Sequence, residues 1–329
     1  GVTMSTPKKV LVIYTGGTIG MQRTERGFAP AKGQLARTMG AMPHFQDPRQ
    51  PPRTTPLSPY GHRIHYDIIE DDPLMDSSNM DMDDWVSIAN KIAHHYDNYD
   101  GFVILHGTDT MSFTASALSF MLVNLSKTVV LTGSQIPLTD QRNDGLDNLL
   151  GAMTIASHFI IPEVCLYFHH TLFRGNRTQK VDAKGLAAFE SGNYSPLAEI
   201  DTTINIQWHL VRRGTSSPLR VRPIQEPNVG CLRIFPGITH QLLQNFLRDP
   251  IRGVIIETFG AGNGPDNRPD LLAVLKEAND RGIVLVNCTQ SACCDTHFEV
   301  TLHNVRTQCN IHQVRQEPAF SLDIRVAHP

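Results

Sequence analysis

Short apolar runs alternate along this chain with longer stretches in which apolar residues recur every three or four positions. Lys9–Ile13, Gly101–Leu105, Thr128–Leu131 and Glu163–Phe168 have the length and residue types of buried strands, and His65–Glu70 reads as one more. Between them lie helical periods. Asp81 or Asp83 can cap a helix that carries Trp85, Ile88, Ile92 and Tyr96 on one face. Thr110–Leu125 is apolar and rich in Ala, Ser and Met, so it predicts a well-buried helix, and Asn143–His158 repeats the pattern with Leu146, Leu149, Leu150, Met153 and Ile155. Strand and helix in alternation predict βαβ units and a parallel sheet, an α/β fold.

The rhythm breaks twice early on. Met21–Gly33 is polar and bounded by glycines, the composition of a mobile lid. Pro43–Pro59 is dense in proline and predicts a long surface insertion without helix or central strand. Further along, Arg212–Pro218 reads as a linker. A second alternation follows, with strands at Gly230–Ile234, Gly253–Glu257 and Ile283–Asn287 and helices at Thr239–Leu247 and Pro269–Asp280. The expected organisation is a large N-terminal domain over 8–211, a linker over 212–222, a smaller α/β domain over 223–290 and a divergent tail over 291–329.

Composition narrows the function classes. The chain has 329 residues, is 40% hydrophobic and carries a net charge of −3, which supplies no electrostatic case for nucleic acid. No apolar run approaches the ~20 residues of a membrane span, and the N-terminus lacks the apolar centre of a secretion signal. The six cysteines form no disulfide framework, so the expectation is a reducing cytoplasm. Four of them fall between Cys288 and Cys309, near His297 and His312, but the spacing matches no standard zinc pattern.

Two threonine motifs carry the candidate chemistry. Tyr14-Thr15-Gly16-Gly17-Thr18-Ile19-Gly20 follows the first strand, and His106-Gly107-Thr108-Asp109-Thr110-Met111 follows Gly101–Leu105. The ends of parallel strands are where open α/β sheets bind ligands. No Gly-Lys-Ser/Thr follows the first motif, which excludes a P-loop, and Gly17 and Gly20 lack the G-x-G of a dinucleotide fingerprint. Two readings of Thr18 stand side by side: a nucleophile near unpaired backbone N–H groups, or the capping residue of a tight turn. Asp109 reads equally as an N-cap or as a partner for a substrate ammonium. His106 reads as a packed strand-end histidine. Lys180, taken alone, reads as a solvated surface lysine, although a lysine in a closed site can serve as a base. Asp76-Ser77-Ser78 fits a helix cap and can also grip a small zwitterion.

Taken together, these segments resemble the type I, bacterial-type asparaginases. The likeness rests on Tyr14–Met21, Asp76–Ser78, Gly101–Met111, Leu131-Thr132-Gly133-Ser134-Gln135-Ile136-Pro137, Arg174-Gly175-Asn176-Arg177-Thr178, Thr258–Asn263 and Val286–Gln290. It spans about residues 8 to 290 and includes the related N-terminal domain of an animal lysophospholipase. The resemblance implies a two-domain asparaginase-like fold without cofactor or metal, acting on L-asparagine as a homodimer or homotetramer. It implies Thr18 as nucleophile, with Thr108, Asp109 and Lys180 as a second triad and with Asp76, Ser77, Ser78, Thr108 and Asp109 binding substrate. It also implies an allosteric asparagine site lined by Thr258, Phe259, Gly260, Asn263, Asn287 and Thr289. Two positions depart from the pattern. Phe28 stands where relatives carry a lid tyrosine, and the likeness stops after Gln290. The competing expectations are a lysophospholipase-type esterase and a catalytically impaired isoform.

Overall fold

The computed structural model describes residues 6–192, 194–224, 228–260, 262–291 and 306–307. The chain divides into two compact units, Gly1–Ile224 and Gln225–Pro329. In the first unit, β1 (Lys8–Gly16) leads through a 3-10 turn into the hairpin β2 (Met21–Thr24) and β3 (Gly27–Pro30), followed by α1 (Gln34–Ala41) and the long β4 (Ile64–Met75). Then come α2 (Met82–His95), β5 (Gly101–Leu105), α3 (Met111–Met121), β6 (Leu122–Val123), β7 (Thr128–Thr132), α4 (Gly145–His158), β8 (Val164–Phe168) and β9 (Thr171–Arg174). Short strands close the unit: β10 (Gln179–Lys180), β11 (Phe189–Glu190), β12 (Ala198–Ile200), β13 (Ile204–Ile206) and β14 (Arg220–Val221).

The main sheet runs β13-β12-β9-β8-β7-β5-β1-β4. Its core from β4 to β8 is parallel, and β9, β12 and β13 add an antiparallel edge that the apolar runs did not announce. Alternation along β1 sends Val10, Val12 and Tyr14 to one face with α4 and Leu11 and Ile13 to the other with α2 and α3. Both faces are therefore covered, which is why these strands read as continuous apolar runs. Each such side chain contributes roughly 1.5–3 kcal/mol through burial. Helix α2 starts at a capping box: Asp81 accepts from the Asp83 and Asp84 amides, and the Asp84 carboxylate accepts from the Asp81 amide at 2.9 Å.

Three segments show more structure than their composition suggests. The polar stretch after the first motif is an antiparallel hairpin, held to its surroundings by Arg23–Asp140 at 3.0 Å and by Gly33 N–H donating to Glu70. The proline-dense segment is anchored rather than laid over the surface. Phe45 is fully buried in the core, and Asp47 is buried between Arg49 and Arg63, which hold its carboxyl down at about 2. Residues 219–221 pack into the first unit, where β14 pairs antiparallel with β6 and Leu219 joins the core.

The second unit holds β15 (Val229–Arg233), α5 (His240–Phe246), β16 (Gly253–Thr258), α6 (Pro269–Asp280), β17 (Val284–Thr289) and β18 (Arg306–Thr307). Its four strands lie in that order and parallel around a core that includes Leu243, Val254, Ile256, Leu271 and Leu285. The Cys293, Cys294, Cys309, His297 and His312 of the zinc reading lie outside the described residues. No described helix is long and apolar enough to cross a membrane.

Candidate active site

Strands β1 and β5 are parallel neighbours with Tyr14 opposite Leu105, so the two threonine motifs leave the sheet at the same end. The Thr15 hydroxyl donates to the Leu105 carbonyl at 2.9 Å and ties the turns together. Gly17 sits at φ 94°, and a Cβ there would lie 2.7 Å from the Gly107 Cα. A Cβ on Gly107 would lie 2.5 Å from the Ser77 Oγ. Glycine at both positions lets the turns after β1 and β5 meet backbone to backbone and the Ser77 side chain, after β4, pack onto Gly107. Thr18, Ser77 and Thr108 are each within one residue of that meeting point.

Thr18 opens the 3-10 turn but does not cap it: the N-cap is Gly17, without a side-chain cap bond. The Thr18 residue is half-buried, and its hydroxyl bonds to no other described residue. Asp109 does not cap α3 either, since the N-cap is Thr110, whose hydroxyl donates to the Ser77 carbonyl at 2.7 Å. Both capping readings thus give way.

Lys180 is the largest correction to the residue-by-residue reading. Its side chain is only 16% exposed, and its Nζ donates at 2.8 Å to the Thr108 Oγ1 and at 2.8 Å to the Asp109 Oδ1. Strand β10 places it there by pairing with β11, Lys180 opposite Phe189. The loop between them is fixed from two sides. Asp182 accepts from the Lys184 and Gly185 amides, and Gln135 Nε2 donates to the Gly185 carbonyl at 3.1 Å. Gln135 is set in turn by Asp144, whose carboxylate accepts from the Gln135 and Ile136 amides.

Asp76 accepts from the Ser78 amide and hydroxyl, both at 2.9 Å through Oδ1. Those two bonds hold its carboxyl below the usual carboxylate range and leave Oδ2 unspent. Ser77 is buried against Gly107, while Asp76 and Ser78 are exposed.

Beneath Thr108 runs a chain of bonds that the sequence reading missed. His106 is buried, and burial lowers its pKa to about 4. Its Nδ1–H donates to the Gly107 carbonyl at 2.7 Å, which leaves Nε2 to accept from the Thr114 hydroxyl at 2.8 Å. Thr114 accepts from the Trp85 indole at 3.0 Å. The neutral ring therefore has one tautomer and fixes the Gly107–Thr108 peptide. A threonine within an apolar helix was the available signal, because a buried hydroxyl needs partners. Tyr14 was a second omission: its buried phenol donates to the Gly17 carbonyl at 3.1 Å. Phe28 lies in β3, exposed, with the Arg23 guanidinium 4.9 Å from its ring centre.

The six residues of the second unit are also assembled at strand ends. Thr258 donates to the Asn287 Oδ1 at 2.6 Å, Asn287 Nδ2 donates to the Gly262 carbonyl at 2.9 Å, and the Thr289 hydroxyl donates to the Gly260 carbonyl. Phe259 and Asn263 exchange backbone bonds around this turn.

Comparison with known proteins identifies the family. The N-terminal asparaginase domain matches residues 9–212, and the glutaminase/asparaginase C-terminal domain matches residues 228–297, past the Gln290 limit seen in the sequence. The chain belongs to the asparaginase family. It is 48% identical over 289 residues to L-asparaginase 1 of Escherichia coli (strain K12), which covers 86% of this chain and 80% of that protein. It is also 48% identical over 295 residues to the 60 kDa lysophospholipase of Mus musculus, covering 87% of this chain but 52% of that protein. Among solved structures, L-asparaginase I from Vibrio cholerae superposes with a TM-score of 0.78 at 45% identity, covering 87% of this chain and 82% of that one. This asparaginase-family chain thus spans about half the length of the lysophospholipase relative and most of the length of the bacterial asparaginases.

Proposed function

We propose that this chain hydrolyses L-asparagine to L-aspartate and ammonia with Thr18 as nucleophile. The observation that supports the reading is the Lys180–Thr108–Asp109 cluster, whose Thr108 follows the Gly107 that meets Gly17, together with a Thr18 hydroxyl that bonds to no other described residue. The Thr18 Oγ attacks the side-chain amide carbon while its proton passes toward Lys180. The C–N bond then breaks, the leaving nitrogen takes a proton and departs as ammonia. Water attacks the ester carbon of the acyl-enzyme and returns the proton to Thr18. A neutral hydroxyl is a weak nucleophile until a base takes its proton. Asp109, exposed beyond its bond to Lys180, and the free Oδ2 of Asp76 accept from the substrate α-ammonium; the Ser77 hydroxyl donates to the α-carboxylate, and Ser78 holds the Asp76 carboxylate in place.

The reading extends to a cytoplasmic homodimer or homotetramer and to an asparagine-responsive site at Thr258, Phe259, Gly260, Asn263, Asn287 and Thr289. Both extensions rest on the family resemblance. Light scattering on the purified chain measures the assembly.

The deciding experiment compares ammonia release from L-asparagine with fatty-acid release from a lysolipid, using the full chain and Thr18→Ala. Ammonia release should dominate and should fall by roughly a thousandfold or more in the variant, as for loss of a covalent nucleophile. Ammonia release untouched by the substitution overturns the assignment of Thr18. Fatty-acid release that vanishes with it favours the esterase.

A further inference from the structure

Asp144 is the N-cap residue of α4, yet its side chain caps nothing in that helix. Its neighbour Asn143 supplies a bond in its place, Oδ1 accepting from the Leu146 amide at 2.9 Å. The Asp144 carboxylate turns back instead: Oδ2 accepts from the Gln135 amide and Oδ1 from the Ile136 amide, each at 2.9 Å. A carboxylate at a helix start ordinarily accepts from the helix's own first amides. Here that acceptor holds the loop from β7 to α4. Asn148, one turn further along, adds a second hold, with Nδ2 donating to the Gly133 carbonyl at 2.9 Å and Oδ1 accepting from the His169 amide at 3.1 Å.

The loop fixed in this way touches three parts of the candidate site. At its root, a Cβ on Gly133 would lie 2.3 Å from the His106 carbonyl oxygen, in the turn that carries Thr108. At its middle, the Leu138 amide donates at 3.0 Å to the carbonyl of Ile19, the residue after Thr18. Ile19 is fully buried, and a Cβ on Gly145 would lie 3.2 Å from it and 3.3 Å from Leu138, so the three pack without spare room. On the other side, Gln135 Nε2 reaches the Gly185 carbonyl at 3.1 Å, in the loop that follows Lys180. The sheet order explains the reach. Strand β7 lies midway between β1, which carries Thr18, and β9, from which the chain runs on to Lys180.

We propose that this loop sets the separation of Thr18 from Lys180, with Asp144 and Gln135 as positioning residues for the reaction. The inference rests on Thr18 as nucleophile and Lys180 as base. Neither positioning residue needs to touch substrate. Asp144 fixes the loop, the Leu138 amide holds the nucleophile's turn, and Gln135 holds the base's loop. The Asp76-Ser77-Ser78 grip follows β4, outside these bonds, so the effect falls on the chemical step rather than on binding.

Gln135→Met and Asp144→Asn in the full chain test it by asparagine kinetics, urea unfolding and tryptic cleavage after the exposed Lys184. Gln135→Met keeps the length and loses the donor. Its kcat should fall roughly tenfold or more with KM changed less than about twofold, since a misplacement near 1 Å is enough for such a loss. Its unfolding midpoint should hardly move, and trypsin should cut faster after Lys184, because the Gly185 carbonyl has lost its anchor. Gln135→Glu turns an acceptor toward that carbonyl and should match Gln135→Met. Asp144→Asn should lower kcat further because both holds loosen together, and the double variant should fall little below it, the mark of a shared path. A native kcat in Gln135→Met and Asp144→Asn, while Thr18→Ala abolishes ammonia release, overturns the proposal and leaves the nucleophile standing. So does a native kcat in Gln135→Glu, or a lowered midpoint with kcat of the folded protein intact, which makes the loop structural only. Ammonia release that survives Thr18→Ala is the separate result that removes the nucleophile and this inference with it.

Discussion

Each unit carries a parallel sheet whose strands end in a cluster of threonine, glycine and amide or carboxylate residues, and the two clusters spend their hydrogen bonds in opposite ways. In the second unit, Thr258, Asn287 and Thr289 bond to one another or to nearby backbone, and Gln290 donates to the Ile234 and Glu257 carbonyls. In the first unit, the Thr18 hydroxyl and one Asp76 oxygen bond to no other described residue, and the Asp109 side chain is 66% exposed. Position at a strand end does not by itself separate a site from a well-made turn. Unspent polar capacity marks the ready-made site, because a group already satisfied by the protein gains little from a ligand; an asparagine-responsive site in the second unit would have to exchange these internal bonds for ligand bonds.

Four substitutions or titrations test that contrast, in falling order of effect. Lys180→Met should lower kcat for asparagine by roughly a hundred- to ten-thousandfold, the range for a lost general base, with little change in the unfolding midpoint. A larger loss of stability than of rate would move Lys180 to the closed, structural class. Next is the acid dependence of His106, which is neutral in the fold with a pKa of about 4 against an ordinary value of 6.5. The unfolded chain takes up a proton first as pH falls, so this residue contributes stability near neutrality that is lost between about pH 6.5 and 4. The loss amounts to about 3 kcal/mol. Urea midpoints of the native chain and His106→Gln across that window should converge toward the acid end; parallel curves would contradict a neutral, tautomer-locked ring. Asn287→Ala should cost about 1–3 kcal/mol of stability in the second unit, since it strands the Gly262 carbonyl and leaves the buried Thr258 hydroxyl only its longer bond to the Cys288 carbonyl. A variant of native stability would mean that these bonds do not hold the turn. The smallest effect belongs to Ser78→Ala, which removes one of two bonds to Asp76. A rise in KM of a few fold without change in kcat is expected, at about 1 kcal/mol for one hydrogen bond.

Much of the first unit is legible in sequence because strands buried on both faces leave no polar interruption, as β5 and β7 show. The antiparallel edge is not, and its turn explains why. His169 and His170, between β8 and β9, adopt φ of 46° and 64°. Two-residue hairpins of that hand normally declare themselves by Asn-Gly or Asp-Gly, and a histidine pair gives no such signal. Helix α1 is similarly silent: its N-cap is Gly33 at φ 72°, with no side-chain cap. The proline-dense segment concealed its anchors because the burial of Phe45 and Asp47 is decided by distant partners. At the candidate site, the two motifs were visible as strand ends, whereas the partnership of Lys180 with Thr108 spans a separation that no local pattern encodes.

The backbone contact between Gly17 and Gly107 also makes the site a clock for folding. Neither glycine belongs to an element that can form the contact alone; β1 and β5 must first align with Tyr14 opposite Leu105, across the intervening chain of β4 and α2. Closing so long a loop is an entropic cost met before any of its contacts are gained. During refolding, helical signal should therefore return ahead of ammonia release, and the interval between them measures the time taken to zip the centre of the main sheet.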